Sequence, residues 1–314
     1  MRTSIDQISL DQTDFWDAAL GEAGGADVYY RRGYLRALER RGEGRAVLLR
    51  ARDGARFGLH VFLIRRLSDL PFAGGDEGVD LVSPYGYAGP IVSSPRDAAW
   101  FETLWRGAAS ELGAVSEFIR FHPLLATHAP FAGRAWVARV SETVTMDIRE
   151  NLENGLGATC AKNLRWAQKK GVETLFGGVA LLPRFQALYD ATMDRRGAAG
   201  YYRFDGDYFD ALADGLGDDF WVGLATHGGR DAAAGLFLRH GRYLHYHLGG
   251  SDHAMRSLCA TNQLLFDAAV RARRTRASRS FILEAAWGRT IPFFGLRRDS
   301  LTAARLLRRT YCLR

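Results

Sequence analysis

The stretch that decides the fold is YLHYHLGGSDHAMRSLCATNQLLFDAAVRAR, residues 243–273. Its first part, YLHYHLGG, predicts a β-strand, and after a turn the run TNQLLFDAAVRARR predicts a helix. Two further short strands, FWVGLAT and AAAGLFLRH, precede it, with glycines at the turns between them. A last strand, SFILEA, follows the helix. The order of elements is therefore a three-strand meander, a helix and a strand.

The first half of the chain has a similar order. After two predicted helices, DQTDFWDAALGEA and YYRRGYLRALERR, the runs AVLLRAR and RFGLHVFLI flank Asp53-Gly54, a pair that tolerates positive φ and predicts a hairpin. Pro95 opens a predicted helix that ends at Gly113, and the strand SEFIRF follows it. Two halves of hairpin or meander, helix and strand indicate an α+β fold with an architectural repeat.

Three more elements are predicted between the halves. ETVTMDI alternates as a strand, LENGLGATCAKNLRWAQKKG is helical up to Gly171, and another helix begins at Pro183.

Composition limits the class of protein. The 314 residues are 47% hydrophobic and 25% charged, which is typical of a globular protein. No apolar run approaches the roughly 20 residues of a membrane span, and the N-terminus does not resemble a signal peptide, so a cytoplasmic location is expected. Cys160, Cys259 and Cys312 are too widely spaced for a disulfide framework or a zinc site. We expect no metal and no cofactor.

Charge points to a polyanionic partner. The net charge of +7 and the pI near 9.5 favour nucleic acid or a phosphate-bearing substrate. An equally good alternative is the amino-acid bias of a GC-rich genome, because the 42 basic residues include only three lysines. All three lysines fall in one stretch, CAKNLRWAQKKGVE, residues 160–173.

On a helix, this stretch places four cations around an indole. The four cations and the indole lie at i, i+3, i+4, i+7 and i+8, and the set is Lys162, Arg165, Trp166, Lys169 and Lys170. Such a stripe suits a phosphate backbone, with Trp166 available for stacking. The alternative is a solvated helix face with Trp166 turned to the core.

Three other segments offer polar groups, and each has a structural alternative. SPYGYAGP presents Tyr85 and Tyr87 on a stiff loop, or as tyrosines that cover a sheet edge. RRGAAGYYRF supplies guanidinium groups for phosphate or carboxylate, or simply a positively charged helix C-terminus. HYHLGG places His245 and His247 on one face of a strand and Tyr246 on the other, so only one set can face a site.

Five motifs together carry a family resemblance. They are DLVSPYGYAGPIV, SEFIRFHPLL, CAKNLRWAQKKGVE, LYDATMDRRGAAGYYRFDGDYFDAL and the stretch 243–273, in register over residues 27–300. In this order and spacing the chain resembles the Fem-type branch of the GNAT acyltransferase superfamily. The resemblance implies two tandem GNAT-like domains, residues 1–143 and 144–299, each a twisted, mostly antiparallel sheet flanked by helices. It also implies that the tail, residues 300–314, packs back on the first domain.

The resemblance further implies a reaction and roles for residues. Fem-like proteins transfer an amino acid from an aminoacyl-tRNA to an amine, usually on a peptidoglycan precursor, and relatives act on peptide-like natural products. The basic helix at 160–173 is then expected to contact tRNA or the anionic acceptor. The residues expected at the acceptor are Tyr85, Tyr87, His122, Arg196 and Tyr201, although a lone histidine such as His122 is more often structural.

Near the reacting groups, the resemblance favours Tyr246 on its strand, with His245 and His247 as the competing choice of general base. Glu284, at the end of the FILEA strand, is a candidate acceptor of the amine's proton, or else a buried or ion-paired carboxylate. The chain departs from its relatives at Arg297. Many of them carry a lysine there that stabilises the transferred carbonyl, and arginine keeps the charge with a different reach.

The donor remains a choice between three hypotheses. CoA-dependent GNAT enzymes place glycines before the helix so that backbone N–H groups wrap the pyrophosphate. Here the segment is RSLCAT, with Cys259 and Thr261 at the glycine positions, which argues for tRNA over CoA. An aminoacyl-tRNA-dependent transferase is therefore the first hypothesis. An acyl-CoA-dependent N-acyltransferase is the second, and a pair of GNAT domains that only binds RNA or a nucleotide-linked glycan is the third.

Overall fold

The chain folds as two compact units, each built of a sheet and helices. The computed structural model describes residues 4–70, 78–134, 137–149, 152–198, 200–274, 280–283 and 308–313. The first unit comprises Met1–Glu142 with Arg308–Arg314, and the second comprises Thr143–Leu307. The predicted fold class, mixed α and β with two sheets that are each flanked by helices, is confirmed.

Within its described residues, the first unit has six strands and three α-helices before the strand that begins at Val137. The strands are β1 (Ser4–Ser9), β2 (Arg45–Asp53), β3 (Arg56–Arg66), β4 (Val79–Val82), β5 (Ile91–Val92) and β6 (Ala114–Arg120), and the helices are α1 (Thr13–Glu22), α2 (Arg32–Arg40) and α3 (Ala98–Glu111). The sheet order is β1-β2-β3-β4-β6, with β5 also on β3. The last strand of the chain, Arg308–Leu313, pairs antiparallel with β6.

The hairpin predicted at Asp53-Gly54 is confirmed, because β2 and β3 pair antiparallel up to Asp53 and Arg56. Gly54 takes a φ of +61°, which the tight turn requires. Helix α3 packs on this sheet, and its Phe101 lies so close to Gly58 that a Cβ there would be 2.2 Å from the ring. The core between them contains further buried side chains: Phe62, Trp105, Ile119 and Phe121.

Across the residues that the structure describes, the second unit has a six-stranded sheet and four α-helices. The strands are β7 (Val137–Asp147), which begins before the unit boundary, β8 (Glu173–Gly177), β9 (Phe220–His227), β10 (Arg230–His240), β11 (Tyr243–Ser251) and β12 (Ser280–Leu283). The helices are α4 (Ala158–Lys169), α5 (Leu182–Arg196), α6 (Gly206–Leu216) and α7 (Ala260–Arg274). The order is β7-β12-β11-β10-β9-β8, and only β11 and β12 run parallel among these pairs.

The two faces of this second sheet carry different helices. Ala167 of α4 and Leu264, Ala268 and Ala272 of α7 share one core with Phe237 and Phe281 of the sheet. On the other face, the backbone of α5 at Leu188 comes so close to Gly250 that a Cβ there would be 2.4 Å from the Leu188 carbonyl oxygen. The sheet therefore lies between an α4/α7 layer and an α5 layer.

The structure also contains elements that the sequence patterns did not predict. Strands β1, β4, β5 and β8 are short or lack clear alternation, and helix α6 lies in the motif GDYFDALADGL. The helix predicted from Leu152 is interrupted, because a 3-10 turn over Leu152–Gly155 precedes α4. None of the helices in the described ranges is both long and apolar enough to cross a membrane.

Candidate functional site

The predicted cationic stripe lies on the exposed side of α4. Leu164 and Ala167 turn into the core, so Lys162, Arg165 and Lys169 point to solvent. Trp166 is 43% exposed, and it therefore does not take the alternative position in the core. Lys170, just after the helix, places its Nζ 4.7 Å from the centroid of the Trp166 ring. The helix thus presents its cations and its indole together.

A groove runs beside this helix. It has a volume of about 590 Å³ and is lined by Lys162, Asn163, Arg165, Trp166, Lys169, Ser257 and Cys259. We call it the α4 groove. The indole Nε1 of Trp166 donates to the Ser257 carbonyl oxygen at 2.9 Å, which fixes one wall to the turn before α7. Four of the five predicted tRNA-binding side chains therefore line a single groove, and the fifth, Lys170, contacts Trp166.

The cations of the α4 groove have no acidic counterparts nearby in the part of the chain that the structure describes. Among the described residues, no carboxylate lies within 4 Å of Lys162, Arg165, Lys169 or Lys170. Elsewhere in the same unit, exposed arginines are paired, for example Arg184 with Asp231 and Arg203 with Asp194. The groove therefore carries net positive charge that an anionic ligand can neutralise.

The N-terminus of α7 borders the groove through Cys259. This residue has a φ of +54°, a left-handed conformation that side chains rarely adopt, and it directly precedes the helix. Partial burial raises the pKa of its thiol, so it is a poorer nucleophile than an ordinary cysteine. The segment RSLCAT thus keeps a glycine-like backbone at this position but adds a side chain to the groove wall.

A row of glycines shapes the α4/α7 face of the sheet. Gly223, Gly235 and Gly249 lie opposite one another on β9, β10 and β11. A Cβ at Gly223 or Gly235 would meet the ring of Phe237 at 2.9 or 2.8 Å. A Cβ at Gly249 would be only 1.7 Å from the Tyr246 hydroxyl oxygen. The absence of side chains therefore lets aromatic rings lie flat on the sheet, and it sets the position of the Tyr246 phenol.

The environment of Tyr246 keeps its phenol protonated. Burial raises the pKa of Tyr246 to about 12, and nearby Arg196 opposes part of this rise. Below this pKa the hydroxyl is a hydrogen-bond donor, and it is not available as a base. Tyr246 can therefore donate to a developing oxyanion, and Arg196 is a cation close enough to influence the same group.

His245 and His247 lie on the opposite side of β11 from Tyr246. Between Leu236 and Phe237 the register shifts, so that Tyr246 pairs with Phe237, Leu248 pairs with Leu236, and His247 is the extra residue of a bulge. His247 is buried, and its Nε2 lies 3.1 Å from the Tyr208 hydroxyl of α6. Of the two competing sets, Tyr246 is thus the one on the α4/α7 face.

The segment RRGAAGYYRF of the second unit contains a structural arginine beside the two residues predicted at the acceptor. Arg195 donates to the carbonyl oxygen of Ser251 at 3.2 Å, and so it fastens α5 to the end of β11. Arg196 is exposed, with no carboxylate partner among the described residues. Tyr201 is also exposed and packs edge-on against Tyr202. Arg196 and Tyr201 are therefore placed to meet a ligand from solvent.

Two of the three predicted residues of the first unit, Tyr87 and His122, lie in a buried polar cluster. We call this the His122 cluster, and it comprises Asp27, Tyr30, Tyr87 and His122. The Nδ1 of His122 accepts from the backbone N–H groups of Leu124 and Leu125, so Nε2 carries the proton that it donates to Asp27 Oδ2 at 2.6 Å. His122 thus has the contacts of a structural histidine.

The tyrosines of the His122 cluster are also fixed by contacts within the protein. Burial, with a smaller contribution from the charge on Asp27, raises the pKa of Tyr30, whose hydroxyl donates to the Gly89 carbonyl oxygen at 2.8 Å. Tyr87 is fully buried beneath Arg120, whose guanidinium carbon lies 4.6 Å from the ring centroid. Tyr85 is only partly buried, and its carbonyl oxygen accepts from the Tyr34 hydroxyl. Of the three residues predicted at the acceptor in the first unit, Tyr85 is therefore the most accessible to solvent.

Two further predicted residues, Glu284 and Arg297, lie outside the described residues. One group that the patterns did not single out is Asp190 on α5. Burial and the neighbouring charge of Asp194 raise the pKa of its carboxyl, and Arg203 opposes this rise. Its i, i+4 spacing to Asp194 was visible in the sequence, but its partial burial was not.

Comparisons with known proteins agree with this architecture. Residues 158–282 match the family model described as an acetyltransferase (GNAT) domain. Among solved structures, FemX is similar with a TM-score of 0.68 at 12% identity, covering 98% of this chain and 96% of that one. A search of curated protein sequences finds no match.

Two other structures share the fold. One is the C-terminal domain (DUF2156) of a provisionally assigned lysylphosphatidylglycerol synthetase from Agrobacterium fabrum, with a TM-score of 0.57, 17% identity, and coverage of 96% of this chain and 91% of that one. The other is L-PGS from Bacillus licheniformis, with a TM-score of 0.55, 12% identity and the same coverage. The predicted resemblance to the Fem-type GNAT fold is thereby confirmed.

Proposed function

From a GNAT acyltransferase fold of Fem type, we propose that the chain is an aminoacyl-tRNA-dependent aminoacyltransferase. It forms an amide bond on an amine of a peptidoglycan precursor or a peptide-like natural product. The observation that carries the proposal is the α4 groove, where cations that have no carboxylate partner among the described residues surround an exposed indole. Phosphate neutralisation and base stacking on an aromatic ring are the two interactions that single-stranded nucleic acid requires.

The reaction needs a neutral amine close to an ester. The amine nitrogen attacks the ester carbonyl carbon and forms a C–N bond, while the C–O bond to the terminal ribose breaks. Glu284 is the proposed first acceptor of the proton lost by nitrogen, and a proton is finally delivered to the departing ribose oxygen. Holding the two reactants together supplies much of the rate, because it removes the entropy cost of their encounter.

Tyr246 is the proposed donor to the oxyanion. Its raised pKa keeps the hydroxyl protonated throughout the physiological range, so it donates a hydrogen bond as negative charge develops on the carbonyl oxygen. Arg196 and Tyr201 of the second unit are proposed to hold the acceptor. Tyr85, Tyr87 and His122 of the first unit keep their predicted acceptor role as part of this proposal. Glu284 and Arg297 keep their predicted roles, as proton acceptor and as carbonyl contact. The domain bounds 1–143 and 144–299 are retained as part of this proposal.

A second candidate is acyl-CoA-dependent N-acyl transfer. The observation in its favour is Cys259, which keeps the left-handed backbone of a glycine directly before α7 and beside the groove. Its side chain, however, occupies space where a pyrophosphate would approach the backbone. A pair of GNAT domains that binds RNA without turnover is the third candidate.

Mass spectrometry of the products tests the proposal. The protein is incubated with an amine-rich cell extract as the source of acceptors. The acyl donor is an individual charged tRNA in one set of reactions and acyl-CoA in the other. We expect a new amide whose mass increment matches one amino acid. An increment that matches an acyl group of CoA would favour the second candidate, and no product with retained tRNA binding would favour the third.

A further inference from the structure

A second cationic surface lies at the opposite end of α7 from the α4 groove. Its centre is Trp221, the second residue of β9, which is only 7% exposed. The guanidinium carbons of Arg239 and Arg271 lie 5.4 and 5.1 Å from the centroid of this ring. We call the surface formed by Arg239, Arg242, Arg271 and Arg274 the Trp221 surface.

Chain topology brings these arginines to the same end of the strands in the second sheet. Trp221 pairs with Phe237 near the end of β10, and Arg239 lies two residues further along that strand. Arg242 lies in the turn between β10 and β11, and its carbonyl oxygen accepts from the N–H of Ser280 at the start of β12. Arg271 and Arg274 share a side of the last turn of α7 by their i, i+3 spacing.

Most of this positive charge has no acidic partner among the residues with a described position. Asp219 accepts from Nε of Arg239 at 2.9 Å. Within the described ranges of the chain, no carboxylate lies within 4 Å of Arg242, Arg271 or Arg274, and all three are exposed. The helix macrodipole accounts for basic residues at the end of α7, at about 0.3–1 kcal/mol each. The macrodipole does not explain the position of Arg242 on a turn. It also does not explain why Arg239 and Arg271 both lie over the indole of Trp221.

We propose that the Trp221 surface binds the phosphodiester backbone of RNA. Arginine offers a planar fork of donors that matches phosphate, and an aromatic ring beneath it holds the fork in place before the ligand arrives. Because Trp221 is buried, it has no free face on which a base can stack. The contact is therefore to the backbone, and it positions the RNA without reading its sequence.

The spacing fits one RNA that extends from the α4 groove. Helix α7 has 15 residues, which corresponds to a length of about 22 Å at ~1.5 Å per residue. This is the span of about six nucleotides of one strand at ~3.4 Å each. It is also about twice the screening length of ~10 Å at 0.1 M salt, so the two surfaces act as separate contacts. The inference rests on the proposed function, since it assigns the same class of partner.

Salt-dependent binding of uncharged tRNA tests the inference. Affinity is measured by fluorescence anisotropy between 50 and 300 mM salt for the wild-type protein, for Arg271→Gln/Arg274→Gln and for Arg242→Gln. Arg242→Gln leaves the contacts of Trp221 intact, so it reports binding even if the double variant is unstable. Arg106→Gln, an exposed helix arginine of the first unit, is the matched control.

For the double variant we expect about tenfold weaker binding at 0.1 M salt, with a slope of log K against log salt that is less steep by about 2. Arg242→Gln should reduce the slope by about 1, and the control should bind like the wild type. Unchanged binding by both variants, while wild-type tRNA binding is intact, would overturn this inference alone. A wild-type protein that binds no tRNA would overturn the proposed function as well.

A membrane is the competing occupant, and vesicles of phosphatidylcholine with one third phosphatidylglycerol provide the second arm. We expect the Arg271→Gln/Arg274→Gln variant to lose tRNA affinity to a greater extent than vesicle affinity. The reverse result, with lost vesicle binding and unaltered tRNA binding, would assign the surface to anionic lipid and contradict the inference.

Discussion

The His122 cluster and the α4 groove both concentrate polar side chains, but these side chains differ in burial and in whether they have polar partners. In the His122 cluster, Asp27 and His122 are fully buried and both ring nitrogens of the histidine have partners. In the α4 groove, Lys162, Arg165 and Lys169 are exposed and none has a carboxylate within 4 Å among the described residues. Residues of both regions were predicted as ligand contacts: the basic stripe from its helical spacing and the family resemblance, and Tyr87 and His122 from the resemblance.

The difference separates polar groups that stabilise the fold from those available to a ligand. A buried polar group costs free energy unless its hydrogen bonds are made within the protein, so a satisfied cluster contributes to stability. Exposed cations without counter-charges repel each other slightly and contribute little to folding. We therefore expect substitutions in the first region to affect stability and substitutions in the second to affect binding.

The largest expected effect is on stability. Asp27→Ala removes the acceptor of the His122 Nε2–H and leaves a buried donor without that bond, at a cost of about 3 kcal/mol. Urea unfolding followed by tryptophan fluorescence measures the loss. Asp11→Ala, which removes an exposed carboxylate paired with Arg36, is the control and should change the free energy of unfolding very little. Equal stability of both variants would contradict a structural role for His122.

Tyr246 shares features of both regions, because its ring packs against the core as in the His122 cluster, while its hydroxyl is proposed to contact a ligand as in the α4 groove. Tyr246→Phe keeps the ring and removes the donor, and we expect kcat to fall about 100-fold, with tRNA affinity unchanged. Single-turnover transfer from charged tRNA measures the effect. A variant with wild-type kcat would exclude Tyr246 as the oxyanion donor.

Gly249 gives an independent approach to the same hydroxyl. In Gly249→Ala the new methyl group would occupy the space of the Tyr246 oxygen, so the phenol must move. We expect a loss of kcat of about tenfold, because small misplacements of a catalytic group are costly. In Tyr246→Phe/Gly249→Ala, the glycine substitution should cost much less than in the wild-type background. Additive losses would indicate that Gly249 acts elsewhere.

A smaller effect is expected in the α4 groove. Lys162→Gln/Arg165→Gln removes two phosphate contacts and should weaken tRNA binding about tenfold at 0.1 M salt. The free energy of unfolding should stay close to the wild-type value, in contrast to Asp27→Ala. A stability loss without a binding loss would place these cations with the structural group and reverse the comparison.

The smallest expected effect is on the pH profile. The pKa of Tyr246 is raised to about 12, so its proton is retained below that value and is lost only above it. The step that needs the donor should therefore not weaken between pH 8 and 10. A fall in single-turnover rate centred near pH 10, absent in Tyr246→Phe, would show that the phenol has an ordinary pKa.

Local patterns predicted much of the fold. The β10–β11 meander, helix α7 and the hairpin at Asp53-Gly54 carry period and turn signals within a few residues, and all appear in the structure. Strands β1 and β8 lie at the edges of their sheets, with weak alternation, and their pairing depends on partners far along the chain.

The candidate site was predictable only in part. Helical spacing was enough to place Lys162, Arg165 and Trp166 together, because the contact is local. The position of the Tyr246 hydroxyl above Gly249 depends on the bulge at His247, and the stacking of Arg239 and Arg271 on Trp221 joins three distant segments. Such long-range contacts leave no periodic signal in the sequence.

The most direct test of the central claim is transfer of a labelled amino acid from charged tRNA to an amine acceptor, with and without prior ribonuclease treatment. We expect labelled amide that disappears when the tRNA is digested first and is not restored by acyl-CoA. Product that survives ribonuclease and requires acyl-CoA would contradict it.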